Sequence, residues 1–197
     1  MYKKQLRIQK IICLVALIAA AACFVYSLGI ITDIHDALKS AIRNANKLEN
    51  TKIPGAAIYY HMQAFNKQFV TVGIGLILVA CMLFLTNTHS RRRYYIGNFV
   101  SVGVYTVATT VAAWWYHGQI AAFKYQFLTT VDFEVMKEYS EKWGTLYLDN
   151  TNLLDLHYYV AGLGLLSAVL LIGNAIWKVV LMRQEAKLIQ RGKEAAV

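Results

Sequence analysis

The sequence predicts an all-α membrane protein: a four-helix transmembrane bundle with two ordered outer loops containing short helices. Three observations carry this. The 197 residues are 57% hydrophobic and only 16% charged, against roughly 25% charged in soluble domains. The apolar residues gather in four blocks, at about 11–31, 69–87, 94–116 and 158–177. The one proline, Pro54, lies between blocks.

Each block is about 20 residues, the length a helix needs to cross a hydrocarbon core of about 30 Å. Membrane strands would be about ten residues long and would alternate in polarity. These blocks do not alternate, and hydrocarbon demands that backbone bonds close within the segment, so helices follow. The chain reads as a single four-span membrane domain over 1–197, with outer loops at 32–68 and 117–157.

The first block starts after Lys3, Lys4, Arg7 and Lys10 and holds Ala20-Ala21-Ala22-Cys23, a pattern like a lipoprotein signal. Its apolar run continues to Ile31, beyond the 7–15 residues of a signal core, so it is expected to remain as a span. In the first outer loop, Ile34, Leu38, Ala41, Ile42, Ala45 and Leu48 recur at helical spacing, with Thr32 or Asp33 as a cap. Pro54-Gly55 breaks that segment, and Ala56 to Gln68 leads into span two. The second outer loop is rich in aromatics and predicts a folded cap with a helix over 131–143 that ends near Gly144.

Twelve of the twenty Lys and Arg flank the chain termini and the short turn holding Arg91, Arg92 and Arg93. Nine of the eleven acidic residues lie in the two long loops. Positive charge beside short spans marks the cytoplasmic side. Both termini are therefore expected in the cytoplasm of a bacterial cell membrane. The net charge of +9 belongs to this pattern, so no nucleic-acid partner is expected. Arg91, Arg92 and Arg93 are a candidate topology anchor and a candidate contact for anionic headgroups.

On span three, Tyr94, Asn98, Ser101, Tyr105, Thr109, Ala112 and Tyr116 share one face within an arc of about 80°. Val100, Val104, Val107, Val111, Trp114 and Trp115 face the other way, toward lipid. Asn98, Ser101, Tyr105 and Thr109 are the candidate polar bundle face. Small residues form candidate packing seams: Ala16, Ala20, Cys23 and Ser27 on span one, and Ala161, Gly164, Ala168 and Ala175 on span four. Aromatic belts flank the spans, with Tyr59, Tyr60, Trp114, Trp115, Tyr116, Tyr158 and Tyr159 at the outer side and Tyr94, Tyr95 and Trp177 at the inner side.

No Asp, Glu, Lys, Arg or His lies deep in a span, as proton-coupled transport or voltage sensing requires. Cys13, Cys23 and Cys81 sit in apolar blocks, which excludes a disulfide-stapled outer domain. There is no phosphate-binding glycine loop, nucleophile elbow or zinc motif. His61, His117 and His157 lie near the outer ends of three spans, and with Asp155 they offer metal donors. Their spacing does not favour a metal site, so no metal and no cofactor is expected.

Two segments, Thr86 to Asn98 and Asn174 to Gln190, make the chain similar to uncharacterised four-span membrane proteins of Gram-positive bacteria. Some of those are associated with carbohydrate ABC transporters, which implies an accessory role. The expected function is a non-enzymatic subunit that packs against a membrane-protein partner or another copy of itself. The alternative is a channel or solute-conducting homo-oligomer built on the span-three stripe.

Orientation is open to a direct check. With Cys13, Cys23 and Cys81 replaced, a cysteine at Ser140 should react with an impermeant maleimide in intact cells. One at Ser90 should react only after the membrane is opened. The reverse pattern would invert the topology.

Overall fold

The computed structural model describes residues 2–42, 57–88, 96–143 and 151–194. Arg91, Arg92 and Arg93, Tyr94, Tyr95, Leu48, the Pro54-Gly55 break and Gly144 lie outside the described residues, as do the side chains of Tyr59 and Tyr60. Five helices account for all described residues except Val131, Asp132 and Thr151. They are α1 (Tyr2–Ile42), α2 (Ala57–Thr88), α3 (Ile96–Thr130), α4 (Phe133–Trp143) and α5 (Asn152–Glu194). Four of them contain stretches long and apolar enough to cross a membrane: Lys3–Ile30, His61–Thr88, Ile96–Thr130 and Asn152–Arg191.

The helices outrun the apolar blocks. At 1.5 Å per residue, α1, with 41 residues, is about 60 Å long. It passes through Thr32 and Asp33 without a break, so no helix starts there, and the expected separate helix is, as far as Ile42, a continuation of the span. Likewise α3 continues to Thr130, which corrects the expectation of a loop beginning at His117. The reason is local. Ile120 and Phe127, seven residues apart, are both buried and keep an apolar stripe on the extended helix. Asp132 then ends the run. Its Oδ1 accepts from the backbone N–H of Glu134 (3.1 Å) and Val135 (3.2 Å) and so caps α4.

The chain divides into two compact units. Unit 1 comprises Met1–Ala20, Leu76–Thr110 and Leu163–Val197. Its core is small and close-packed, with Cys13, Ala16, Ala80, Leu83, Tyr105, Ala168 and Leu171 buried. A Cβ added at Gly164 would lie 3.0 Å from Thr109 Cγ2, so glycine is what lets α5 approach α3 here.

Unit 2 comprises Ala21–Gly75 and Val111–Gly162. Its core is aromatic. Phe65 stacks on Phe69 with ring centroids 5.4 Å apart, and Trp115 packs 5.4 Å from Phe65. Tyr116 lies 5.0 Å from Phe69, and Tyr26 meets Phe69 edge-on at 5.9 Å. Trp115 therefore turns toward α2, whereas its neighbour Trp114 is 78% exposed. The helical wheel placed both on the lipid side. Trp115 stands only one residue, about 100°, from buried Tyr116, and its large ring gains more from aromatic contacts.

Both units present apolar side chains outward. Ile11, Leu14, Ile18, Leu78, Leu85, Val100, Val104 and Val107 are exposed in unit 1, and Val25, Val111 and Trp114 in unit 2. Water would not tolerate this surface on so many faces, whereas hydrocarbon requires it.

Gly73 provides a stability test. A Cβ there would lie 3.1 Å from Phe24 Cα, a backbone atom that cannot swing aside, whereas Gly75 has nothing within 4 Å. Gly73→Ala should destabilise the protein by about 1–3 kcal/mol through overpacking. Gly75→Ala should be neutral or slightly stabilising in the same detergent-unfolding measurement.

Candidate functional site

The densest polar constellation lies in unit 1, where each helix contributes a pair. Gln5 and Gln9 come from α1, one turn apart. Thr86 and Asn87 end α2, and Asn98 and Ser101 open α3. Asn174 and Lys178 follow one another by one turn on α5. Spacings of three and four residues put each α1, α3 and α5 pair on a single face. Gln5, Gln9, Asn87, Asn98, Ser101, Asn174 and Lys178 are all buried.

The groups bond in a chain that crosses the helices. Gln5 Nε2 donates to Gln9 Oε1 (2.9 Å) and to Asn174 Oδ1 (3.3 Å). Gln9 Nε2 donates to Asn87 Oδ1 (3.0 Å) and to the Asn87 carbonyl (2.8 Å). Asn87 Nδ2 donates to Ser101 Oγ at 2.8 Å, and the Thr86 hydroxyl reaches the same oxygen at 2.9 Å. With the Asn98 amide oriented so that Nδ2 donates to the Thr86 carbonyl (2.8 Å), its Oδ1 accepts from Lys178 Nζ at 3.3 Å. Lys178 Nζ also stands 5.2 Å from the centre of the Phe99 ring, a cation–π arrangement.

Lys178 is only 3% exposed. The sequence places it among the basic residues near the C-terminus. The structure instead encloses it, because one helical turn separates it from Asn174, which faces the bundle. Among the described residues no carboxylate pairs with it. Gln5 Oε1 has no partner. A cavity of about 10 Å³, close to what one water needs, is lined by Gln9, Asn87, Asn98, Asn174 and Lys178.

Of the candidate polar face, Asn98 and Ser101 join this cluster, while Tyr105 and Thr109 sit farther along α3. The Tyr105 hydroxyl bonds the Ala16 carbonyl at 3.2 Å and Ser167 Oγ at 2.8 Å. Thr109 is buried against Gly164, and its hydroxyl has no partner. Of the packing seams, Ala16, Ala20, Cys23, Ser27, Gly164 and Ala168 are buried. Ala161 is half-buried.

Unit 2 brings together two of the three outer histidines. His117 Nδ1 lies 2.8 Å from His157 Nε2, and His157 Nδ1 bonds the Leu154 carbonyl. A nitrogen facing a carbonyl must carry the proton. His157 Nε2 therefore accepts, and His117 Nδ1 donates. Lys124 pairs with Asp155 beside them, and the Tyr26 hydroxyl donates to the carbonyls of Leu153 (3.1 Å) and Leu154 (3.2 Å). His61 is exposed and takes no part in this cluster. Among the described residues no three metal-ligating side chains converge.

Gln5, Gln9, Thr86, Asn87, Asn174 and Lys178 are absent from the sequence-level list of candidates. The signal is faint but present: Gln5 with Gln9 and Asn174 with Lys178 each repeat at one turn, toward the basic ends of their blocks. Nothing in one sequence shows that four separate segments meet there.

The four apolar helices, outward-facing apolar side chains and inward-facing amide network define a multi-pass integral membrane protein in contact with the lipid bilayer. Compared with known protein families, curated proteins and solved structures, the chain matches none.

Asn87 is the branch point, since it binds Gln9 on one side and Ser101 on the other. Interhelical bonds in membranes average about 0.6 kcal/mol, with a maximum near 1.7. Asn87→Leu should therefore cost about 1–2 kcal/mol in detergent unfolding. Combining it with Gln9→Leu should cost less than the sum of the two single losses, because both remove the same bond.

Proposed function

We propose that this integral membrane protein is a non-enzymatic accessory subunit that packs against a larger membrane complex such as a transporter. The observation that carries the reading is the far end of α5. This helix has 43 residues, about 65 Å, or twice the roughly 30 Å of a hydrocarbon core. If the span occupies 158–177, some 17 residues of helix project beyond it, about 25 Å. On that arm Leu188 and Ile189 are 66% and 63% exposed, among Arg183, Lys187 and Arg191. An isolated helix of this length is marginal in water, and two adjacent exposed branched side chains give a partner something to cover.

The small-residue seams support the same reading indirectly. Ala16, Ala20, Cys23, Ser27, Gly164 and Ala168 are buried, so a partner uses another surface. The channel reading has less support. The polar groups of α3 are bonded to their neighbours or packed against small residues, and the cavity beside Asn98 holds only about 10 Å³.

Affinity purification of the tagged chain in mild detergent should recover a stoichiometric membrane partner. The double variant Leu188→Glu/Ile189→Glu should lose it while keeping the parent's melting temperature. Recovery of the isolated chain alone, or undiminished partner recovery by the double variant, would count against this assignment.

A further inference from the structure

Unit 1 carries an open groove of about 490 Å³ between α3 and α5. Phe99, Gly103 and Val107 form one wall, Ile172 and Ala175 the other, and Arg183 closes one end. The indentation comes from Gly103 and Ala175. A Cβ at Gly103 would meet nothing within 4 Å, so no side chain among the described residues fills the space there.

Length and charge select the occupant. Ile172 to Arg183 is twelve residues of helix, a rise of about 16 Å, comparable with half of a hydrocarbon core of about 30 Å. With the span over 158–177, the groove runs from within one leaflet out to headgroup depth, where Arg183 lies about 9 Å beyond residue 177. A partner helix crossing the bilayer would need a contact face along both leaflets, whereas an acyl chain needs only one. At the end where a headgroup would sit, Arg183 is exposed, and Lys178 lies behind Phe99, which also lines the groove. Among the described residues no carboxylate pairs with either cation. Glu185 follows Arg183 by two positions, about 200° around the helix, and faces away from the groove. An unneutralised guanidinium at headgroup depth is complementary to phosphate.

We propose that this groove binds one anionic phospholipid, with an acyl chain laid between α3 and α5 and its phosphate held by Arg183. Lys178 adds positive potential from behind the Phe99 ring. The Asn98 carboxamide, which accepts from Lys178 Nζ, holds that charge in place without neutralising it.

The experiment uses the full-length chain in neutral detergent. It is titrated with phosphatidylglycerol, with phosphatidylcholine and with soluble glycerol phosphate, and bound lipid is read by native mass spectrometry alongside the melting temperature. Phosphatidylglycerol should bind at least about fivefold tighter than phosphatidylcholine, the factor expected of one basic residue near an anionic surface. Arg183→Gln, at an exposed site, should abolish that preference, and Arg191→Gln should leave it intact. Gly103→Leu should weaken both lipids by filling the groove. Equal binding of the two lipids in the parent would overturn the proposal. So would glycerol phosphate binding as tightly as phosphatidylglycerol, which would mark a site for free anions. Retention of both lipids by Gly103→Leu would place the site elsewhere.

Discussion

Hydrocarbon offers no hydrogen-bond partner, and the arrangement of unit 1 follows from that constraint. Seven carboxamide, hydroxyl and ammonium side chains from four helix segments are buried together because none can face lipid without losing its partners. Asn87 shows how the constraint becomes structure. One amide accepts from Gln9 of α1 and donates to Ser101 of α3. Rotating any one helix about its axis would leave several groups unpaired at once. The network thus sets the rotation of the helices more than it adds to their stability, since each bond contributes well under about 2 kcal/mol.

Where the network stops, shape takes over. Gly164 admits Thr109, and Gly73 admits the backbone of Phe24. These contacts depend on dispersion at close range, which is what drives helix association once lipid has removed the hydrophobic difference. Unit 2 uses large rings for the same purpose, with Phe65, Phe69, Trp115 and Tyr116 filling its centre. The two units use different means of packing, small residues in one and aromatic ones in the other, and both leave an apolar exterior.

Lys178 links the polar network to the wall of the groove, through Asn98 on one side and Phe99 on the other. A buried ammonium with no carboxylate partner among the described residues is held by one carboxamide and one aromatic face. Such a charge is costly at membrane depth and is tolerated near the ends of spans, where potential and headgroups compensate. Its position behind Phe99 sets the internal polar network beside the groove between α3 and α5.

The arrangement of the apolar residues determined the fold class, because four blocks of about twenty have only one economical solution in a bilayer. The face of α3 was legible too, since Asn98, Ser101, Tyr105 and Thr109 repeat at the helical period and all are buried. Helix ends were not legible. Hydropathy falls at His117 and Thr32, but helical hydrogen bonds do not require apolar side chains, and α3 and α1 continue regardless. The meeting of Gln9 with Asn87, of His117 with His157 and of Asn98 with Lys178 was decided only by the tertiary structure. Those partners are 78, 40 and 80 residues apart, and periodicity within a helix carries no information about which turn of another helix lies opposite.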